Sequence, residues 1–196
     1  MSDERLRGLE RRWKETQAVE DEAAFLLERV RVGDLEQEKL ELAGFCGSAS
    51  ALLALGVRRD DIAISSAVAG EFVAATLELL GRVYGAPWPE LYRPFVRLFR
   101  RSARSGSQPT EQLVRGELDS FMESTATVPG ASWQNLYPPA WGAEALTGHL
   151  TPPETSREGL FRRILAHGSE HAGPTALEQQ VLSPVTAWCL ADSAET

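Results

Sequence analysis

ERLRGLERRWKETQAVEDEAAFLLERVRVGDLEQEKLELAGFCGSASALLALG, residues 4–56, is the stretch whose reading decides the fold. Apolar residues recur in it at helical spacing, and Gly33, Gly47 and Gly56 each close a block where a helix C-terminus needs a residue tolerant of positive φ. The stretch is therefore a row of short helices. Leu6, Leu9 and Trp13 share one face of the first, whose other sides carry Arg5, Arg7, Glu10, Arg11 and Arg12. The second opens with Glu20, Asp21 and Glu22 and ends with Arg29 and Arg31, both favourable to the helix dipole, and its apolar stripe is Ala23, Leu26, Leu27 and Val30. Asp34 with Gln37 predicts a capping box for the third, and Ser48 a cap for the fourth.

Outward from this stretch, the chain of 196 residues has 43% apolar and 24% charged residues, the usage of an ordinary globular protein with room for one good core or two small ones. Its charged start lacks the apolar region of a signal peptide, and the apolar run Ile62–Leu80 carries Glu71 and Glu78, which argues against a membrane span. A cytoplasmic protein is expected. Cys46 and Cys189 sit inside apolar helical patterns as small hydrophobes, and no structural disulfide is expected.

The net charge of −8 is unevenly placed: residues 1–60 carry 10 basic and 13 acidic side chains, residues 61–105 carry 6 and 4, and residues 106–196 carry 4 and 11. Such a sum repels phosphate backbones, which excludes a general nucleic-acid binder and welcomes a basic partner.

The strings LERRWKET, VEDEAAFLLERVRVGDL, EKLELAGFCG and ALLALG resemble a helical N-terminal module that recurs, with variable C-terminal parts, in modular proteins of social soil bacteria with large genomes. The resemblance covers residues 4–56. It implies an all-helical, solenoid-like unit in a modular protein and carries no catalytic residues. The domain expectation is a helical module over 1–56 and a helical region over 57–196 that packs against it.

After Gly56, Asp60 and Asp61 predict the cap of a long apolar helix reaching Tyr84, with Val68, Phe72, Ala75, Leu79 and Val83 as its stripe. Pro89 suits the first position of a helix running to Ala103, where Pro94 is tolerable in the first turn or as a kink. On it Arg93, Arg97, Arg100 and Arg104 recur at four, three and four residues and form one stripe with Arg101 beside it. That stripe is either a recognition surface for phosphate or an acidic segment, or a solvated face pairing with carboxylates elsewhere. A further helix over Glu111–Glu123 is capped by Thr110.

Residues 124–154 combine five prolines with Trp133, Tyr137 and Trp141 and read as a long ordered loop. Aromatics there either anchor a binding partner or pin the loop to its own core. Thr155 with Glu158 predicts a helix reaching His167, and Thr175 with Glu178 a last helix that Pro184 kinks or restarts.

His167-Gly168-Ser169-Glu170-His171 fits H-x-x-E-H, the spacing that places two imidazoles one helical turn apart with a glutamate as general base. The pattern needs a continuous helix. Gly168 is expected to interrupt it and Gly173-Pro174 to end it, which makes a polar helix terminus the competing reading. A metal site including His149 is the intermediate case. No nucleophile elbow, glycine-rich phosphate loop or strand pattern is present.

The expected fold is all-α, an irregular helical bundle or short solenoid of about seven to nine helices. The expected function is a small acidic protein-binding module, immunity-like or regulatory. Its partner would be a protein, basic in character, without nucleic acid, membrane or cofactor, and its binding residues Trp133, Tyr137, Trp141, Arg93, Arg97, Arg100 and Arg104. The alternative is a metal-dependent hydrolase using His167, Glu170 and His171.

Overall fold

The computed structural model describes residues 2–64, 67–148 and 156–191. Among them every regular element is helical and none is a strand. They are α1 (Ser2–Thr16), α2 (Val19–Val32), α3 (Gln37–Phe45), α4 (Ala49–Leu55), α5 (Gly70–Tyr84), α6 (Trp88–Ser105), α7 (Glu111–Thr125), α8 (Trp133–Thr147), α9 (Arg157–Ala172), α10 (Pro174–Leu177) and α11 (Ser183–Leu190), with short 3-10 turns at Arg59–Asp61 and Ala67–Ala69 and a π turn at Glu178–Leu182. No described helix is long and apolar enough to cross a membrane. The all-α expectation holds, with more helices than the seven to nine expected. The excess has two sources: the supposed loop 124–154 contains a helix, and the last predicted helix is divided by the π turn.

The chain forms two compact units, one of residues 1–63 and 183–196, the other of 64–182. In the first, α2 packs on α1 and α4, and α3 packs on α4 and α11. Trp13 stacks on Phe25 with ring centroids 5.4 Å apart. Leu26 is buried as expected, but Leu27 is half exposed and the buried face runs through Phe25, Glu28 and Arg29 instead. Arg29, 2% exposed, donates through Nε to Asp34 at 2.6 Å and through Nη1 and Nη2 to the carbonyls of Leu190 and Ala191 at 2.6 and 3.1 Å. This is why Asp34 does not cap α3: its carboxylate is turned back to neutralise a buried guanidinium, and Glu36 holds the N-cap position without a side-chain bond. Ser48 does cap α4, accepting from the Ala51 amide at 3.2 Å. Cys46 and Cys189 are buried.

In the second unit α5 is the central helix, packed by α6, α8 and α9. It begins at Gly70 rather than at Asp60, since Asp60 and Asp61 lie in the first 3-10 turn and the backbone at Ile62 is extended. Three glycines allow close approach. A Cβ on Gly70 would lie 2.5 Å from the Phe99 carbonyl oxygen of α6, one on Gly81 3.2 Å from the Pro89 Cα, and one on Gly142 of α8 would overlap Val73. Phe72 is fully buried and meets Phe161 of α9 at 5.9 Å between centroids. The expected helix of residues 89–103 is extended slightly at both ends as α6, with Pro94 in its interior.

The proline-rich 124–154 stretch is corrected from loop to helix over Trp133–Thr147. Asn135 Oδ1 accepts from the Ser132 amide at 2.8 Å at its start, and Pro138 and Pro139, past the first turn, remove the amide donors to the Gln134 and Asn135 carbonyls, which instead accept from the Tyr84 and Tyr92 hydroxyls at 3.0 and 2.6 Å. The Thr155 cap lies outside the described residues, and Ser156 caps α9 by accepting from the Gly159 amide at 3.1 Å.

Candidate functional site

Helix α9 brings three of its residues to one face, because positions i, i+3 and i+4 lie together on a helix surface. These are His167, Glu170 and His171. The expected break at Gly168 does not occur: α9 runs unbroken to Ala172 and ends at Gly173. A helical glycine costs about 1 kcal/mol relative to alanine. Packing explains its place, since a Cβ there would come within 3.1 Å of Leu177 Cδ1 and 3.6 Å of Thr76 Cγ2.

Around His167 the neighbouring helices supply polar and aromatic partners. The Tyr84 hydroxyl at the end of α5 lies 2.8 Å from His167 Nε2, and the Gln134 carbonyl in the first turn of α8 lies 3.1 Å from the same nitrogen and 3.0 Å from Tyr84 Oη. A carbonyl only accepts, so a bond from His167 to Gln134 puts the proton on Nε2 and leaves Nδ1 its lone pair, whereas in the other tautomer the Tyr84 hydroxyl donates to Nε2. Trp141 meets the His167 ring edge-on at 5.2 Å, Tyr137 tilts against Trp141 at 5.9 Å, and the Arg163 guanidinium lies 5.6 Å from the Trp141 ring centre. His171 stands 4.2 Å from His167 between ring centroids and 5.8 Å from Tyr84. Its Nε2 is buried with no hydrogen-bond partner.

Burial, followed by the neighbouring His171, holds the His167 imidazole below its ordinary value and keeps it neutral. The Tyr84 phenol is pushed up to about 12, first by burial and then by the Glu170 carboxylate. Burial also raises the Tyr92 phenol, which donates to the Asn135 carbonyl at 2.6 Å. A neutral imidazole bonded to a protonated phenol beside a second imidazole can hold a ligand by hydrogen bonds, exchange a proton, or offer nitrogen lone pairs to a cation.

The sequence candidates thus fall into separate places. His167, His171 and Trp141 come together, whereas Trp133 and Tyr137 are 58% and 50% exposed, so neither ring is pinned in a core. In the arginine stripe, Arg100 bonds Glu71 at 2.7 Å and Glu78 at 3.0 and 3.1 Å, and Arg93 pairs with Glu90. Arg97, Arg101 and Arg104 line, with Arg100 and Ser105, an open groove of about 520 Å³. His149 lies outside the described residues. Tyr84 and the Gln134 carbonyl were missed by sequence reasoning. A tyrosine closing an apolar helix was the one available signal for the first, and a backbone carbonyl gives none.

Comparison with known proteins gives a specific direction. A protein of Mycobacterium sp. (strain KMS) is 32% identical over 130 residues, 62% of this chain and 42% of its own length. One of Mycobacteroides abscessus is 31% identical over 113 residues, 54% of this chain and 36% of its own length. Both are provisionally named S-adenosyl-L-methionine-dependent methyltransferases, and the chain spans less than half the length of these relatives. No family model and no solved structure matches the chain.

A sulfonium nucleoside donor needs a concave pocket for its base and a polar cradle for its ribose and amino-acid parts. The described residues show no glycine-rich strand-to-helix turn for such a cradle. They include no strand from which a glycine turn could lead into a helix, and Gly33, Gly56, Gly106 and Gly148, all at positive φ, serve as helix C-caps. The groove at Arg97–Ser105 and another along Thr110–Glu117 are open surface, and a less open pocket of about 260 Å³ in the first unit is lined by Trp13, Phe25, Leu26 and Arg29 among others.

The relatives nevertheless correct the functional expectation. Their name is that of an enzyme class that transfers methyl groups, and it overturns both the acidic protein-binding module, immunity-like or regulatory, and the metal-dependent hydrolase.

Proposed function

We propose that this chain takes part in S-adenosyl-L-methionine-dependent methyl transfer as a helical, acceptor-side component, with the donor cradle supplied by a different fold. The similarity to the mycobacterial methyltransferases carries this reading. It is supported by the absence, among the described residues, of any strand that could lead into a glycine-rich donor turn, alongside the cluster of polar groups at Tyr84 and His167. Tyr84, His167 and Trp141 are the residues assigned to hold the acceptor. The neutral imidazole and the phenol are poised to bind and orient a polar nucleophile, and the indole offers an apolar wall.

The test is label transfer. The purified chain is added to a bacterial extract with methyl-labelled S-adenosyl-L-methionine, and label is followed into the small-molecule fraction. Added chain should raise incorporation at least tenfold, and Tyr84→Phe, which removes one hydroxyl without opening a cavity, should abolish most of that gain. Incorporation unchanged by the chain, or undiminished in Tyr84→Phe, overturns the reading.

A further inference from the structure

We propose that His167, Glu170 and His171 bind one divalent transition-metal ion of the zinc class. The proposal concerns binding alone and does not rest on the methyl-transfer reading.

One donor atom from each of the three side chains lies within 4.8 Å of the others. Donors around a tetrahedral ion at about 2.0–2.1 Å stand roughly 3.3 Å apart, so closing the set needs a contraction to which a rotamer change of the exposed Glu170 contributes. Two imidazoles and one carboxylate suit zinc, cobalt or nickel rather than calcium or magnesium, which prefer oxygen donors. The carboxylate offsets part of the ionic charge, and the remaining coordination positions are left to water or a ligand.

Two independent observations favour an ion over a chance grouping. His171 Nε2 is buried without any hydrogen-bond partner, a costly state for a polar atom that coordination would relieve. His167 has partners that orient its ring: Nε2 lies 3.1 Å from the Gln134 carbonyl and 2.8 Å from the Tyr84 hydroxyl, and Trp141 meets the ring edge-on. Metal-bound histidines commonly donate their other ring nitrogen to a carbonyl in this manner.

The experiment uses the full chain without a histidine tag, stripped with chelator and titrated with zinc against a competing fluorescent chelator. One equivalent should bind with a dissociation constant at or below the micromolar range, and cobalt should give visible d–d absorption. His171→Gln should weaken zinc binding at least a hundredfold and Glu170→Gln at least tenfold, with the melting temperatures of the metal-free variants matching that of the metal-free parent. Zinc should also raise the melting temperature of the parent and of neither variant at the same concentration. Absence of saturable uptake, or either variant binding zinc as the parent does, overturns the proposal. Zinc uptake without label transfer would leave this site standing and remove the methyl-transfer reading, so the two fail separately.

Discussion

Gly142 of α8 lies so close to Val73 of α5 that a methyl group at position 142 would overlap Val73 Cγ1 and press to 3.4 Å from Phe99 Cε2. The glycine is there for packing, since α5 and α8 could not meet at this distance over any side chain. Gly142→Ala should therefore cost about 1–3 kcal/mol through overpacking. Gly116 is the control: it lies inside α7 with nothing within 4 Å of its Cβ position, so Gly116→Ala should gain up to about 1 kcal/mol from helix propensity. Denaturant midpoints of the two variants should move in opposite directions.

Phe72 carries the same argument in the other sense. It is fully buried against Phe161, so Phe72→Ala removes a ring from a site that cannot refill it and should cost about 3–5 kcal/mol in a urea titration. A change below about 1 kcal/mol would mean that this face of α5 is not the core.

Arg29 is a buried cation held at three points in the first unit. Arg29→Ala should cost about 3 kcal/mol, because two carbonyls lose charged donors while Asp34, partly exposed, recovers water. Arg29→Lys should restore little, since one ammonium cannot reproduce a planar fork with three separated acceptors. Thermal unfolding of both variants beside Asp34→Asn, whose loss should be smaller, checks the assignment.

Much of this was legible in the sequence, and the failures have physical causes. Period and caps gave the all-α class, the Ser48 and Thr110 caps and the core position of Phe72, because each depends on residues adjacent along the chain. Asp34 was misread because its partner, the Arg29 guanidinium, is buried by residues from the far end of the sequence. Pro138 and Pro139 concealed α8, since the Tyr84 and Tyr92 hydroxyls that take the place of their missing amide donors come from α5 and α6. The H-x-x-E-H pattern was visible, but the reason for a glycine inside the intact helix, the close approach of Leu177 and Thr76, exists only in the tertiary structure.

Glu28 provides the pH test. Its bonds to Arg31, aided by charge attraction to Arg31 and to Arg5 at 3.4 Å, hold its carboxyl below the ordinary value against an opposing effect of burial. A depressed folded-state value means that the unfolded chain takes up the proton first as pH falls. The stabilising contribution is therefore full above the unfolded value of 4.5 and is lost as pH drops toward the folded value. Unfolding midpoints taken between about pH 3 and pH 6 should fall less steeply in Glu28→Gln than in the parent, and parallel curves would remove Glu28 as a source of acid sensitivity.

Trp133 and Trp141 lie two helical turns apart on α8, yet their surroundings predict different outcomes. Trp133 is 58% exposed, so Trp133→Ala should shift stability by no more than about 0.5 kcal/mol. Trp141 touches Tyr137 and His167 and carries the Arg163 guanidinium against its face, so truncating it removes apolar contact and a cation–π pair together. Trp141→Ala should cost about 2 kcal/mol, less than a fully buried tryptophan because the ring is only partly covered. It should also free the His167 ring to reorient, visible as a changed imidazole NMR signal and as weaker zinc binding even though residue 141 offers no ligand atom. Trp141→Phe, which keeps an aromatic edge in place, should recover most of both effects. Equal stability losses at positions 133 and 141, or a His167 signal indifferent to Trp141, would show that the indole does not orient the imidazole.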